Sequence, residues 1–350
     1  MKLDKLNAVL TRVYESDMPD VNDLEALLEL KNSEELAVLF DFADNVRQKF
    51  AGAGVFLRGL VEFSNFCRNS CLYCGLNKYN KGLERYCMSH SEILSCVGNI
   101  ADCGIKTVVL QSGEDNRFGI EALASLVKDI KCRYDIAITL SVGEADRKDY
   151  QLLKEAGADR FLLKIETSQE QFYDRFHPEM SFENRIRCLS DLKKLGYQTG
   201  CGNLVGLKGQ TTKILAEDIL FFKRENFDMI GIGLFIPHKQ TKLGSDLAGD
   251  LEMALKVLAL TRIVTKTSHL PAATAIATKG GEDAVVRALK AGANVIMPNF
   301  TPAKYKELYE IYPGKKCIKE SWQKSLELAQ ECVNSAGRYI DYSRGDSLKK

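Results

Sequence analysis

Three cysteines lie close together in residues 66–76, which read FCRNSCLYCGL. Three residues separate Cys67 from Cys71, and two separate Cys71 from Cys74. Thiolates are soft ligands that suit iron–sulfur clusters, copper(I) and zinc. Three of them bind only three irons of a four-iron cube, so the fourth iron keeps the open position that a catalytic metal needs. The spacing therefore predicts a [4Fe-4S] cluster on these three residues.

Two other interpretations of the three cysteines stay open at this point. A structural zinc site would need a fourth ligand at short range, and the next candidates, Cys87 and His90, stand on a poorly matched spacing. Chance proximity is the second alternative. The other cysteines among the 11 are isolated and have no regular spacing, which argues against a disulfide framework.

Composition places the chain among ordinary globular proteins. Of its 350 residues, 45% are hydrophobic and 27% are charged. The net charge of +1 gives no electrostatic reason to expect a nucleic acid or an acidic membrane surface as partner. The N-terminus lacks the apolar core of a secretory signal, and no apolar run is long enough to span a bilayer. We therefore expect a cytoplasmic location.

The cysteines must be positioned by the elements around them. Residues 1–50 read as helices, because apolar positions recur there at helical spacing. Eight β-rich runs then alternate with amphipathic stretches, and they cover residues 55–64, 105–113, 135–143, 159–167, 197–206, 228–237, 269–278 and 293–300. This alternation predicts an α/β protein with a (β/α)₈ TIM-type barrel, although an open doubly wound sheet would give the same pattern.

The pattern also divides the chain. We expect a helical extension at 1–50, a barrel at 51–300, and a tail at 301–350 that packs across one end of the barrel. The motif Ser89-x-x-Glu92 predicts a capping box for the first helix of the barrel. The cysteine motif directly follows the first strand, so it belongs to the barrel mouth, where TIM barrels carry their chemistry.

Polar residues end most of the predicted strands, as the mouth of a ligand-binding barrel requires. Together with the two glycines Gly113 and Gly143, the strand ends carry Ser64, Asn65, Gln111, Ser112, Glu114, Ser141, Glu144, Glu166, Thr167, Asn203, His238, Thr274 and Asn299.

The spacing CxxxCxxC after a first strand, with Tyr73 before the last cysteine, resembles the signature of the radical S-adenosylmethionine (SAM) superfamily. The resemblance implies that the open iron chelates the amino and carboxylate groups of SAM. Electron transfer then cleaves SAM to methionine and a 5′-deoxyadenosyl radical. The protein supplies position and shielding, and the cofactor supplies the reaction.

Longer segments resemble the HydE family of [FeFe]-hydrogenase maturases, in the biotin-synthase-like branch. They are residues 63–86, 107–115, 163–168, 181–185, 196–211, 227–238 and 292–302. The resemblance implies that SAM contacts Tyr73, the pair Gly113–Glu114, Glu166 and Arg185, the last through a bidentate guanidinium–carboxylate contact. It further implies that the substrate contacts Ser141, Thr274, Tyr309 and Tyr312.

The chain departs from the family pattern in its substrate region and its tail. Lys164 stands where an arginine is expected, and Ala273 precedes Thr274 where a threonine pair is expected. Some relatives carry a second cluster on three tail cysteines, but only Cys317 and Cys332 remain here. We therefore expect one cluster.

The resulting expectation is a radical SAM enzyme of the HydE type that acts on a small iron–cysteine precursor of the hydrogenase active site. It would use an electron donor such as a ferredoxin or flavodoxin and work beside other hydrogenase maturases. A methylornithine-synthase-like reaction on another small molecule is the alternative enzyme. A biotin synthase is disfavoured because LKIETS at 163–168 replaces the YNHNLDT-like motif. A metal-binding scaffold without catalysis is the alternative from another class.

Overall fold

Three helices precede the first strand in the computed structural model, which describes residues 2–315 and 319–349. They are α1 at Leu3–Glu15, α2 at Val21–Leu28 and α3 at Ser33–Ala51. The side chains of Asp20 and Asn32 accept backbone N–H groups and cap α2 and α3. The three helices pack against two later helices of the chain, α9 at Thr212–Glu225 and α10 at Leu251–Thr265.

The strands form two parallel sheets. They are β1 at Gly54–Leu57, β2 at Gly59–Ser64, β3 at Thr107–Ser112, β4 at Ala137–Ser141, β5 at Arg160–Leu162, β6 at Gln198–Val205, β7 at Met229–Leu234, β8 at Val295–Ile296 and β9 at Tyr339–Asp341. One sheet runs in the order β2-β3-β4-β5-β6-β7, and the other in the order β8-β1-β9. The first predicted strand is therefore two strands, separated at Arg58.

Isolated parallel bridges connect the two sheets into a ring of eight segments. Met229 at the start of β7 pairs with His269, Pro271 pairs with Val295 of β8, and Leu60 of β2 pairs with Asn299. The protein is thus an α/β barrel, as predicted. Its seventh segment is only the short stretch 269–271.

The predicted strand 269–278 was wrong beyond that stretch. Thr274 is the first residue of a helix, α11 at Thr274–Lys290, whose backbone departs from helical geometry at Gly281. Four alanines between 272 and 277 give this run a high helix propensity. A short apolar run cannot be assigned to strand or helix by periodicity alone.

The remaining helices cover the barrel. They are α4 at His90–Asp102, α5 at Ile120–Arg133, α6 at Arg147–Glu155, α7 at Glu170–Phe176, α8 at Phe182–Lys194, α12 at Ala303–Lys306 and α13 at Trp322–Ser335. The predicted capping box is confirmed, since Ser89 and Glu92 exchange side-chain and backbone hydrogen bonds at the start of α4.

The direction of the β2 side chains decides which of them face the barrel interior. A Cβ on Gly59 would lie 2.5 Å from Ile100 of α4, so Gly59 faces the helices. Side chains alternate along a strand, and therefore Val61 and Phe63 face outward while Leu60 and Glu62 face inward.

The tail was predicted to pack across one end of the barrel, but it contacts both ends. The carbonyl of Leu308 accepts the Asn65 amide at 2.7 Å, at the mouth. At the opposite end, Asp346 accepts from Arg160, the first residue of β5, at 2.7 Å. Cys317, part of the expectation about a second cluster, lies outside the described residues. No helix in the described part of the chain is both long and apolar enough to cross a membrane.

Candidate active site

The predicted cluster cysteines lie on an irregular loop that begins where β2 ends. The Arg85 guanidinium donates to the carbonyls of Asn65, Leu76 and Asn77 at 2.6, 2.8 and 2.8 Å. A loop without strand or helix must satisfy its backbone polar groups in this way. Arg85 therefore ties the two ends of the cysteine loop together.

The three thiols lie close enough to influence one another's pKa. Burial raises the pKa of Cys74 to about 12, and the neighbouring charge of Cys67 raises it further. Burial also raises the pKa of Cys71 well above its ordinary value, with Cys74 and Cys67 as the next causes. Thiolates crowded in this way repel one another until a cation compensates their charge.

This donor set fits an iron–sulfur cluster. No three Cys, His, Asp or Glu side chains among the described residues converge on a single ion. Three thiolates that each bind a different iron of a cube do not have to converge. Of the two alternative fourth ligands for zinc, His90 belongs to α4 and pairs with Asp129 at 2.8 Å, and Cys87, whose backbone pairs with Ser64 of β2, is exposed.

Gly113 and Glu114 lie beside the cysteine loop at the end of β3. A Cβ on Gly113 would lie 2.2 Å from the Phe66 carbonyl oxygen and 2.9 Å from the Cys67 Cβ, so only glycine allows this approach. The Glu114 carboxylate accepts from Arg68 Nε at 3.1 Å and from the Glu144 N–H at 2.8 Å. A cavity of about 470 Å³ opens beside this pair.

Glu166 occupies a strained backbone position after β5. Its φ of 65° is uncommon for a residue other than glycine. Backbone hydrogen bonds to β6 hold it there, because its N–H donates to the Gly202 carbonyl at 3.0 Å and its carbonyl accepts from Leu204 at 2.9 Å. Its carboxylate pairs with Lys164 at 2.8 Å. Strained positions of this kind cluster at functional sites.

Arg185, the third residue after the Phe182 start of α8, forms a buried ion pair that the sequence did not predict. Its Nε donates to Glu144 at 2.6 Å, and Asn184 donates to the other Glu144 oxygen at 2.6 Å. Its Nη1 donates to the Lys164 carbonyl. Glu144 was visible in the sequence as a polar residue at a strand end, but nothing there linked it to Arg185.

Tyr73 is fixed by a histidine that sequence reasoning also missed. Burial lowers the pKa of His177 to about 3, so the ring is neutral. His177 Nδ1 lies 2.8 Å from the Tyr173 carbonyl, which can only accept, and therefore Nδ1 carries the proton. Nε2 must then accept from the Tyr73 hydroxyl, at 2.8 Å.

The predicted cofactor residues come together around the cysteine loop. The charges of Glu166, Cys71, Cys74 and Arg185 all act on the pKa of Tyr73, which burial raises well above its ordinary value. The sequence indicated Tyr73 because it lies next to a cysteine, and Gly113, Glu114 and Glu166 because they lie at strand ends. Arg185 lies inside α8, and only the family resemblance indicated it.

The predicted substrate residues lie in or near the barrel interior. In the sheet register Glu62 pairs with Gln111, and Gln111 pairs with Ser141, so the three side chains form one inward polar layer. The hydroxyl of buried Tyr309 bonds to Gln111. Tyr312 bonds to Thr278 on α11.

Thr274 lies apart from this layer, at the start of α11. It lines a cavity of about 80 Å³ together with residues of β8 and α13.

The tail is fastened over the polar layer by a buried ion pair. The Lys315 ammonium contacts the Glu62 carboxylate, and both side chains are almost fully buried. Asn299 donates to the second oxygen of Glu62 at 2.8 Å. The Lys315 ammonium also lies 5.0 Å from the centroid of the Tyr309 ring. These contacts close the mouth on the side of β2.

Comparisons with known proteins relate most of the chain to a family and a fold. The sequence model of the radical SAM superfamily matches residues 61–222. The [FeFe] hydrogenase maturase subunit HydE of Thermotoga maritima is 46% identical over 302 residues, which cover 86% of this chain and 86% of that protein. The 3-methylornithine synthase of Methanosarcina acetivorans is 28% identical, over 85% of this chain and 84% of that protein. The crystal structure of methylornithine synthase (PylB) superposes with a TM-score of 0.83 at 24% identity, over 95% of this chain and 97% of that one.

Proposed function

The chain belongs to the radical SAM superfamily, and from that premise we propose that it is a HydE-type maturase acting on a small iron–cysteine precursor of the [FeFe]-hydrogenase active site. Members of the superfamily are enzymes that bind a [4Fe-4S] cluster and SAM. The observation that carries the maturase assignment is the 46% identity to HydE of Thermotoga maritima, against 28% to a 3-methylornithine synthase.

The cofactor would be held by residues on the mouth loops. Cys67, Cys71 and Cys74 would ligate the cluster, and Gly113–Glu114, Glu166 and Arg185 would bind the amino-acid end of SAM. When bound and reduced, the cluster and SAM supply a 5′-deoxyadenosyl radical. Tyr73, whose hydroxyl is anchored on His177 at 2.8 Å, would contact the cofactor.

The chain's own residues shield the reaction and bind the substrate. A primary carbon radical must be kept from water and stray hydrogen donors, and the buried tail residues Tyr309 and Lys315 close one side of the mouth. Ser141, Tyr309 and Tyr312 would then contact a small substrate below the cofactor. Thr274 joins them in this proposal through its place at the start of α11. A small molecule suits this enclosed interior.

The partners follow from the same assignment. A ferredoxin or flavodoxin would supply the electron, and the other hydrogenase maturases would use the product.

Complementation tests the maturase assignment. The protein is supplied to a strain that lacks its own HydE but keeps the other maturases and the hydrogenase, and hydrogen production is measured. We expect the parent protein and Cys96→Ala to restore production, because Cys96 is buried on α4 outside the site. The Cys71→Ala variant should not restore it.

Failure to complement by a folded protein that cleaves SAM in vitro would contradict the maturase assignment. It would favour another small-molecule reaction, of the kind that the 3-methylornithine synthases represent. Lys164 and the Ala273–Thr274 pair are the departures that would then have adapted the interior to a different substrate.

A further inference from the structure

One buried hydroxyl in the candidate site has no role in the assignments above. Tyr173 of α7 is excluded from solvent, yet its hydroxyl has no hydrogen-bond partner within the described residues. The other buried tyrosines have partners for their hydroxyls, namely the Glu62 carbonyl for Tyr86, the Gly143 carbonyl for Tyr150, the Tyr150 carbonyl for Tyr197 and Gln111 for Tyr309. A buried polar group without a partner is costly, and such groups indicate a missing ligand or water.

The Tyr173 ring is held rigidly in the site. It stacks on His177, with the ring centroids 4.0 Å apart and the planes at 21°. Phe182 packs edge-on against it at 5.5 Å. These contacts restrict rotation of the Tyr173 ring, so its hydroxyl cannot move to reach another partner.

The Tyr173 side chain lies next to a residue assigned to SAM. The Arg185 guanidinium carbon is 6.0 Å from the centroid of the Tyr173 ring. Burial raises the pKa of Tyr173 above its ordinary value; Arg185 opposes this rise, and Glu144 and Cys71 add to it. The phenol is therefore neutral, and near these charges it is available as a hydrogen-bond donor.

Arg185 itself has donors to spare for a ligand. Its Nε serves Glu144, and its Nη1 serves the Lys164 carbonyl. Among the described contacts, Nη2 of Arg185 has no protein acceptor, so it can donate to a carboxylate. A carboxylate that accepts from this nitrogen has a second oxygen with free lone pairs, which a neighbouring phenol can satisfy.

We propose that Tyr173 is a further SAM-binding residue, whose hydroxyl donates a hydrogen bond to the carboxylate of SAM beside Arg185. This inference rests on the assignment of the SAM site and not on the identity of the maturation substrate. It explains why a tyrosine, and not a phenylalanine, occupies a buried position that offers its hydroxyl no protein partner in the described chain.

The test is equilibrium binding to the cluster-reconstituted Tyr173→Phe protein, with two ligands. SAM carries the carboxylate, and 5′-methylthioadenosine lacks it. A hydrogen bond to a charged group predicts a loss of SAM affinity of about tenfold or more. The affinity for 5′-methylthioadenosine should stay unchanged, because only the hydroxyl is removed and the ring remains.

Thermal stability without SAM separates this role from a structural one. The Tyr173→Phe protein should melt at the same temperature as the parent or higher, because it buries one unsatisfied polar group fewer. Tyr197→Phe is the matched control, since its hydroxyl donates to the Tyr150 carbonyl at 2.7 Å. That variant should melt lower and bind SAM normally.

Two results would overturn the proposal. One is a Tyr173→Phe protein that binds SAM as tightly as the parent while Arg185→Lys binds it weakly. The other is an equal loss of affinity for both ligands, which would assign the residue to packing. If Arg185→Lys also bound SAM normally, the fault would lie with the SAM site as a whole.

Discussion

Replacing Arg185 by lysine should weaken SAM binding without loss of the cluster. The guanidinium makes a 2.6 Å hydrogen bond to Glu144 and a second one to the Lys164 carbonyl, and the Arg185 side chain is 9% exposed. Lysine keeps the charge but loses the planar fork, so it cannot serve these two partners and a ligand carboxylate in the same geometry. Losing one charge-assisted hydrogen bond costs about 1.5–3 kcal/mol, which corresponds to a Kd for SAM that is about tenfold to hundredfold higher.

The same substitution should have only a moderate effect on folding. Glu144 keeps a cation nearby and also keeps the Asn184 amide at 2.6 Å, so we expect the free energy of unfolding to fall by about 1–2 kcal/mol. Arg185→Met would leave the Glu144 carboxylate buried without a counter-charge and should cost about 3–5 kcal/mol.

Equilibrium binding of SAM to the reconstituted proteins, with iron content measured in parallel, is the assay. Arg187→Lys is the matched control from the same helix. Its side chain is 41% exposed and pairs with Asp191 at 2.8 Å, so SAM affinity and stability should barely change. An Arg185→Lys protein with full cluster content and unchanged SAM affinity would refute the assignment of Arg185.

Two further predictions concern the cluster and the opposite end of the barrel. Changing Cys67, Cys71 or Cys74 to alanine should abolish 5′-deoxyadenosine formation, because each is one of three protein ligands. The control variant Cys96→Ala should still form 5′-deoxyadenosine. An active cluster in Cys71→Ala would show that the ligand assignment is wrong. Burial lowers the pKa of His269 to about 3 in the folded protein. Below about pH 6.5 the imidazole is therefore protonated in the unfolded chain but not in the folded chain, and the free energy of unfolding falls as the pH falls. Urea unfolding should show a loss from this group of about 1.4 kcal/mol between about pH 8 and about pH 5.5. His269→Gln should lack this part of the pH dependence, and an equal dependence in both proteins would contradict it.

The sequence alone determined the chemistry of the cysteine loop and the class of the fold. Cysteine spacing is a local property, because a short loop confines Cys67, Cys71 and Cys74 to neighbouring positions in any fold. Alternation of apolar strands with amphipathic helices is equally local, and it predicted the α/β barrel. The capping box at Ser89 was predictable because it depends on residues only three positions apart.

Ambiguous local signals produced the errors in the fold. The run 269–278 is apolar enough for a strand and alanine-rich enough for a helix, and only packing against the rest of the barrel decided that Thr274 begins α11. No periodic pattern in the sequence indicated the path of the tail. Its position was decided by the contact of Lys315 with Glu62 at the barrel mouth and by the contact of Asp346 with Arg160 at the opposite end of the barrel.

Tertiary structure alone decided how the site residues pair. The ion pair of Arg185 with Glu144 spans 41 positions, and that of Lys315 with Glu62 spans 253. Nothing in the sequence links such residues, because their separation along the chain says nothing about their distance in space. The unsatisfied hydroxyl of Tyr173 was the hardest feature to predict, because one must know the position of every neighbouring atom to see that no partner is within reach. Residue types and local spacing therefore predicted which chemistry this protein can do, and the packing of distant segments decided which charges and hydroxyls remain to do it.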